Sequence, residues 1–204
     1  MTLPAMTAGV DEAGRGPWAG PVTAAAVILT PESEARLRET GVADSKTLNR
    51  AKRERCFDAI MDAGARGELW YAIASADVAE IDSLNILRAS LTAMSRAVAD
   101  LSVPAEHALI DGNKLPELAC PAYAIVGGDG SVLSISAASI LAKVSRDRVM
   151  AGLAETHPGY GWERNAGYGT AEHRSALESL GVTPHHRRSF APIRKLLEAH
   201  PISS

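Results

Sequence analysis

Cysteine is almost absent from this chain of 204 residues: Cys56 and Cys120 are the only two, and they form no CxxC pair. With no HExxH, paired CxxC or histidine cluster, nothing competes for a zinc site. So little cysteine fits a reduced compartment, and a cytoplasmic location is expected. Long apolar runs are missing as well. The alanine-rich stretch Val22–Leu29 is far too short to span a bilayer, so no membrane partner is expected. The opening MTLPAMTAG has neither a basic n-region nor a long apolar h-region, so no signal peptide is expected. No GxxxxGK[ST] or GxGxxG offers a nucleotide loop, and no GxSxG marks a serine hydrolase. There is no internal repeat and no low-complexity linker.

What remains is an ordinary globular balance, 46% hydrophobic and 22% charged, with enough apolar material for a core. The length suits one domain, or one domain with an appended tail. The net charge of −3 argues mildly against a nucleic-acid partner, but the distribution is uneven. Residues 1–142 hold 12 Lys/Arg against 18 Asp/Glu, whereas residues 143–195 hold 9 against 5. One part of the chain can offer a basic surface while another concentrates carboxylates. Ordinary surface variation accounts for the same numbers.

Alternation and turn residues predict strands at Ala8–Val10, Val22–Leu29, Glu68–Ala74, Ala108–Ile110 and Ala122–Val126. Helices are predicted at Glu32–Arg38, Arg50–Ala63, Ser83–Leu101, Ser136 to about Glu155, Thr170–Leu180 and Ala191–His200, with a loop over His157–Gly169. The Ser83–Leu101 helix is the clearest, because Leu84, Leu87, Leu91, Met94, Val98 and Leu101 recur at three- and four-residue steps. Strands early, then strands alternating with helices, point to a mixed sheet in an α/β domain.

Three acids stand at predicted strand ends: Asp11 after the first, Asp111 in LIDGNK and Asp129 in IVGGDG. Function collects where the strands of open α/β sheets end. These acids and Glu12 meeting at one edge would repel one another strongly, and a hard divalent cation resolves that. Mg²⁺ and Mn²⁺ favour oxygen ligands, and two such ions about 3.5–4 Å apart can activate water and stabilise the leaving oxygen of a phosphodiester. Asp-Gly at 111–112 and 129–130 is also common turn chemistry. Glu12 beside Asp11 tips the balance, since a turn needs no second acid.

Ser136, Ser139, Lys143 and Arg146 fall at helical spacing and make one polar stripe able to bind a run of phosphates. A solvated face with Asp147 paired to a neighbour fits that spacing equally well. Lys46, in the polar loop Asp44-Ser45-Lys46, can reach a phosphate or merely follow a cap. Tyr168, between Gly167 and Gly169, can stack on a sugar or base or pack its loop onto the core. His185-His186 reads as surface.

Taken together and in order, DEAGRG at 11–16, DSK at 44–46, LIDG at 109–112, GGD at 127–129, SAASILAKVSRD at 136–147 and GYGT at 167–170 resemble bacterial type 2 ribonuclease H, ribonuclease HII. The likeness runs from about Gly9 to Phe190, and DEAGRG together with AASILAKVSRD is highly specific. It implies an RNase H-like α/β fold, a mixed five-stranded sheet flanked by helices, as a single catalytic domain over residues 1–204 with a small C-terminal helical portion from about 170. It implies an endonuclease that cuts the RNA strand of RNA–DNA hybrids, and cuts 5′ of single ribonucleotides embedded in duplex DNA. The products would carry 3′-hydroxyl and 5′-phosphate ends.

On that likeness Asp11, Glu12, Asp111 and Asp129 are the catalytic and metal-holding acids, for two Mg²⁺ or Mn²⁺ ions. Gly14, Arg15 and Gly16 form the junction-sensing motif and Tyr168 contacts the sugar. Lys46, Ser139, Lys143 and Arg146 lie near the substrate backbone, with Asn85 at the edge of that shell. The related ribonuclease HIII carries an extra N-terminal domain, and eight residues before Gly9 fit it poorly. A short C-terminal extension and a monomer are expected. Two alternatives stay open: another RNase H-fold nuclease such as a Holliday-junction resolvase, and a non-catalytic hybrid-binding protein. The four acids speak against the second, since binding alone gains nothing from negative charge near phosphates.

Overall fold

The stretch Val22–Leu29, VTAAAVIL, is buried along nearly its whole length, which requires cover on both faces. The computed structural model describes residues 6–42 and 48–199, and it places this strand, β2, second in a five-stranded sheet. Its partners are β1 (Thr7–Ala13), β3 (Leu69–Ala76), β4 (His107–Asp111) and β5 (Ala122–Ile125), in the order β3-β2-β1-β4-β5. β1 pairs with β2, and β2 with β3, antiparallel, while β1–β4 and β4–β5 are parallel. The sheet is mixed, and its strand count is the one the resemblance implies.

Side chains alternate along a strand, so β2 feeds two cores. Ala25 and Val27 face a cluster with α1 (Pro31–Thr40), α2 (Arg50–Ala65) and α5 (Leu133–Thr156). Ala24, Ala26 and Ile28 face the other side, toward α3 (Val78–Leu84) and α4 (Ile86–Ala99). A third cluster joins α5 to α6 (Trp162–Asn165), α7 (Ala171–Leu180) and α8 (Ala191–Ala199) through Met150, Trp162, Leu177 and Ile193. Among the described residues no helix is long and apolar enough to cross a membrane.

The helix predicted over Ser83–Leu101 is two helices. Asn85 breaks it with φ +70°, and its Oδ1 accepts the N–H groups of Leu87 (3.0 Å) and Arg88 (3.2 Å) at the start of α4. Asparagine caps helices well because its oxygen satisfies these otherwise orphaned donors. The helix before it has its own capping box, Asp77 with Glu80. The face that α4 buries is its alanine face, Ala89, Ala93 and Ala97, against the alanines of β2. Leu87, Leu91 and Val98 lie at its flank, half-buried. Elsewhere α5 begins at Leu133, three residues before the expected start. The loop over 157–169 contains the short helix α6.

Gly9 sets how close α5 lies to the sheet. A Cβ on Gly9 would come within 2.3 Å of the Ser134 carbonyl carbon and 2.4 Å of the Ile135 nitrogen. Both are backbone atoms of α5, so nothing flexible could give way. Gly9→Val is expected to lower stability by about 3 kcal/mol through overpacking, read as a shift in the urea midpoint. An unchanged midpoint would mean that α5 can slide off β1 without loss.

Candidate active site

β1 continues past the predicted stub, so Asp11 and Glu12 lie inside the strand rather than after it. Antiparallel pairing sets Asp11 opposite Ala25 and Glu12 opposite Ala24. Alternation along the strand starts the two adjacent side chains toward opposite faces, yet their carboxyl groups still interact. On its other edge β1 runs parallel to β4, with Val10 beside Ile110. One residue further on, just past the last β1–β4 pair, Asp11 inside β1 neighbours Asp111 at the carboxyl end of β4.

Asp11 is buried, at 6% exposure. Its carboxyl is held well above the ordinary carboxylate range, first by burial, then by the charges of Glu12 and Asp111. The Ser139 hydroxyl and the Glu12 N–H (2.7 Å to Oδ1) donate to it and pull the other way. Burial also raises Glu12, against the opposing charge of Arg15, whose Nη1 stands 3.3 Å from Glu12 Oε1. Glu12 Oε2 is buried with no hydrogen-bond partner. Asp111 Oδ1 accepts the N–H groups of Gly128 (2.7 Å) and Asp129 (3.4 Å), which draws the turn bearing Asp129 onto the end of β4. Ser136 donates to the Asp129 carbonyl at 2.7 Å and ties the same turn to α5.

The four acids therefore share one neighbourhood without closing on a common point. Among the described residues no three His, Cys, Asp or Glu side chains are grouped to hold a metal ion as they stand. The donor set nevertheless suits a hard divalent cation, being all carboxylate oxygen. Crowded like charges and the partnerless Glu12 oxygen are what such an ion would relieve.

Beside the acids lies a hollow of about 360 Å³. Ala13 to Gly16 form one wall, Ser139 and Lys143 of α5 line it, and Tyr168 and Arg53 face in. Tyr168 is 48% exposed, so its ring is open to a ligand. A Cβ on Gly16 would lie 3.3 Å from that ring, so the glycine leaves the approach between them clear. Gly14 has φ +100°, and a Cβ there would fall 2.0 Å from Arg146 Nε. Side chain and backbone conformation both exclude anything larger.

Two members of the proposed phosphate stripe have other work. Ser136 and Arg146 are each 1% exposed. Arg146 spends its guanidinium on three backbone carbonyls: Pro21 (2.8 Å from Nε), Ala166 (3.0 Å from Nη1) and Ala19 (3.0 Å from Nη2). It holds loops rather than offering donors to solvent. Lys143 pairs with Asp147 at 2.7 Å. Asn85 is the cap of α4, and Lys46 lies outside the described residues.

His186 does not lie on the surface. It is fully buried, as is the next residue, Arg187. Its single-residue bridge to Ala19 carries this late segment under the loop that follows β1. Arg53, His173 and Arg187 were not singled out by sequence. Arg53 sits in the charged run RAKRER, where nothing distinguishes it from its neighbours.

Residues 8–193 match the family model Ribonuclease HII. The chain belongs to the ribonuclease HII family. It is 59% identical over 191 residues to ribonuclease HII of Ruegeria pomeroyi, covering 93% of this chain and 78% of that protein. It is 56% identical to ribonuclease HII of Rhodospirillum rubrum, covering 93% and 86%. Among solved structures it matches ribonuclease H2 of Pyrococcus horikoshii with a TM-score of 0.81 at 27% identity, over 97% of this chain and 99% of that one. The protein is thus a ribonuclease H, an endonuclease acting on RNA–DNA hybrids.

The raised carboxyls have a consequence for stability. A carboxyl whose affinity for protons is higher folded than unfolded subtracts from stability as pH rises through its folded value, and subtracts nothing below the ordinary Asp range. In metal-free protein Asp11→Asn should therefore raise the melting temperature at pH 7–8, by about 2–4 °C per kcal/mol relieved. The advantage should shrink as pH falls toward 3.8, the ordinary Asp value. Calorimetry across pH checks this, and a variant that melts below wild type throughout would contradict it.

Proposed function

We propose that this ribonuclease HII incises 5′ of a single ribonucleotide embedded in duplex DNA, as well as cutting longer hybrids, by metal-assisted hydrolysis that leaves 3′-hydroxyl and 5′-phosphate ends. The observation that carries the reading is the shared hollow: Glu12, Gly14, Gly16 and Tyr168 line one space beside Asp11 and Asp111. In that space the cutting groups and the groups that test the sugar reach the same nucleotide.

Asp11, Glu12, Asp111 and Asp129 would hold the divalent cations, Mg²⁺ or Mn²⁺. Such cations lower the pKa of bound water and neutralise charge on the departing 3′-oxygen. The chain's own groups do the selecting. The 2′-hydroxyl is what separates RNA from DNA at a given site, and the Gly14-Arg15-Gly16 backbone can approach it because no side chain stands between. Tyr168 would lie against the adjoining sugar. Lys143, Arg15 and Arg53 meet the phosphate charge, and Ser139 keeps Asp11 oriented through its hydroxyl. Lys46 keeps its assignment to the substrate backbone, and Ser136 and Arg146 support from within. The protein works as a single catalytic domain and as a monomer in this reading.

Incubation with Mg²⁺ or Mn²⁺ and a duplex carrying one ribonucleotide tests the proposal, with an all-DNA four-way junction as the control. One nick 5′ of the ribonucleotide is expected, and cleavage of the junction instead would point to a resolvase. Asp11→Asn should reduce cleavage by about 100-fold or more while hybrid binding persists. Tyr168→Ala should weaken incision at the lone ribonucleotide by about 10-fold, the scale of one lost stacking contact. Unchanged incision would remove Tyr168 from the assignment.

A further inference from the structure

We infer that the dipeptide His186-Arg187 is the strut that sets the two walls of the ribose-testing hollow relative to each other. Arg187 fixes the Gly14–Arg15 backbone, and His186, acting through His173, fixes the backbone of Tyr168. The inference rests on the reading above that these walls test the sugar.

The Arg187 side is a matter of peptide planes. Its Nη2 donates to the Gly14 carbonyl at 2.6 Å, its Nη1 to the Arg15 carbonyl at 3.0 Å and its Nε to the Gly20 carbonyl at 2.9 Å. In a trans peptide the N–H points opposite to the C=O. Carbonyls of Gly14 and Arg15 drawn inward therefore turn the N–H groups of Arg15 and Gly16 away from the guanidinium. These are backbone donors on the wall of the hollow. The fork of five N–H groups spreads over four carbonyls, Pro21 being the fourth at 3.0 Å, whereas an ammonium has three donors on a single nitrogen.

The His186 side is a one-directional relay. Thr183 N–H donates to His186 Nδ1 at 2.9 Å, so the His186 proton sits on Nε2. That nitrogen faces His173 Nε2 at 3.0 Å. His173 Nε2 also receives the Trp162 indole N–H at 3.2 Å, so it is an acceptor and the His173 proton sits on Nδ1. From there it is donated to the Tyr168 carbonyl at 3.0 Å. Burial lowers the proton affinity of both histidines, His186 to about 3, which keeps both rings neutral and the relay in one sense. The strut itself is anchored by backbone bonds on either side of the Ala19–His186 bridge: Gly20 N–H to the His185 carbonyl (2.9 Å) and Arg187 N–H to the Trp18 carbonyl (2.8 Å).

Steady-state cleavage of the single-ribonucleotide duplex, with melting curves and active-site titration, tests the strut in R187K, H186L and H186Q. A misplacement on the order of 1 Å can cost about 100-fold. Folded R187K is expected to lose about 10- to 100-fold in kcat per active molecule, with KM within about 3-fold. H186L should lose kcat in the same way. H186Q, which keeps a donor near the Nε2 position, should recover most of it. A residue that merely stabilises the fold would lower the melting temperature and the active fraction but leave kcat per active site intact. Folded R187K with wild-type kcat would overturn the inference. If R187K does not fold, wild-type kcat in H186L would overturn it by itself. If wild type cuts a continuous hybrid but not the lone ribonucleotide, the sugar-testing reading fails instead, and the same variants compared on the hybrid decide the strut.

Discussion

Backbone carbonyls turned into an interior must find donors, and the loop that follows β1 depends on two buried guanidiniums for them. The loop from Gly14 to Pro21 contains two prolines and is too irregular to pair with a neighbouring strand along its length. Arg146 takes the carbonyls of Ala19, Pro21 and Ala166. Arg187 takes those of Gly14, Arg15, Gly20 and Pro21. Burying two positive charges side by side is costly, and Arg187 shows it: burial first, then Arg146, pulls its proton affinity down to about 9. The guanidinium still stays charged at neutral pH, and the carbonyl dipoles around it offset the lost water. No hydrophobic contact could hold a glycine-rich loop in one conformation so specifically.

The same region carries the opposite electrostatic burden a few residues earlier. Asp11 and Glu12 are crowded, buried and raised in proton affinity. A fold selected for stability alone would not put them in a strand. The buried arginines do not relieve them, because their donors are spent on carbonyls. The exposed Arg15 reaches only Glu12. The site is thus kept short of positive charge on the acid side while its adjoining loop is held rigid by positive charge from beneath.

Much of this was legible in the sequence. The order of strands, the alanine-rich β2, the acid at the end of β4 and the family itself follow from pattern and motif, whereas Asp11 and Glu12, expected just past the first strand, lie within it. What was not legible divides by cause. A leucine repeat cannot show that one residue, Asn85, leaves helical geometry, although the asparagine and the Asp77–Glu80 box are cap signals that a stricter reading would weigh. Spacing on a helix placed Arg146 and Ser136 on one stripe but could not say that the stripe points inward at both. The burial of His186 and the role of Arg187 rest on bonds between residues 166 to 173 positions apart, and single-sequence patterns carry no trace of such pairings. Whether the acids close on a metal is decided by side-chain positions, which motif order does not fix.

The meeting of Ala19 with His186 also bears on when the enzyme becomes an enzyme. Chains are made from the N-terminus, and contacts of high sequence separation form late. β1 and its acids emerge early, yet the carbonyls of the loop beside them have only water as donor until Arg146 and then Arg187 have been synthesised. The nascent chain therefore carries Asp11 and Glu12 long before the loop beside them can take its final shape. The acids of β1 come first, and the loop beside them is fixed only once the segment bearing Arg187 packs beneath it.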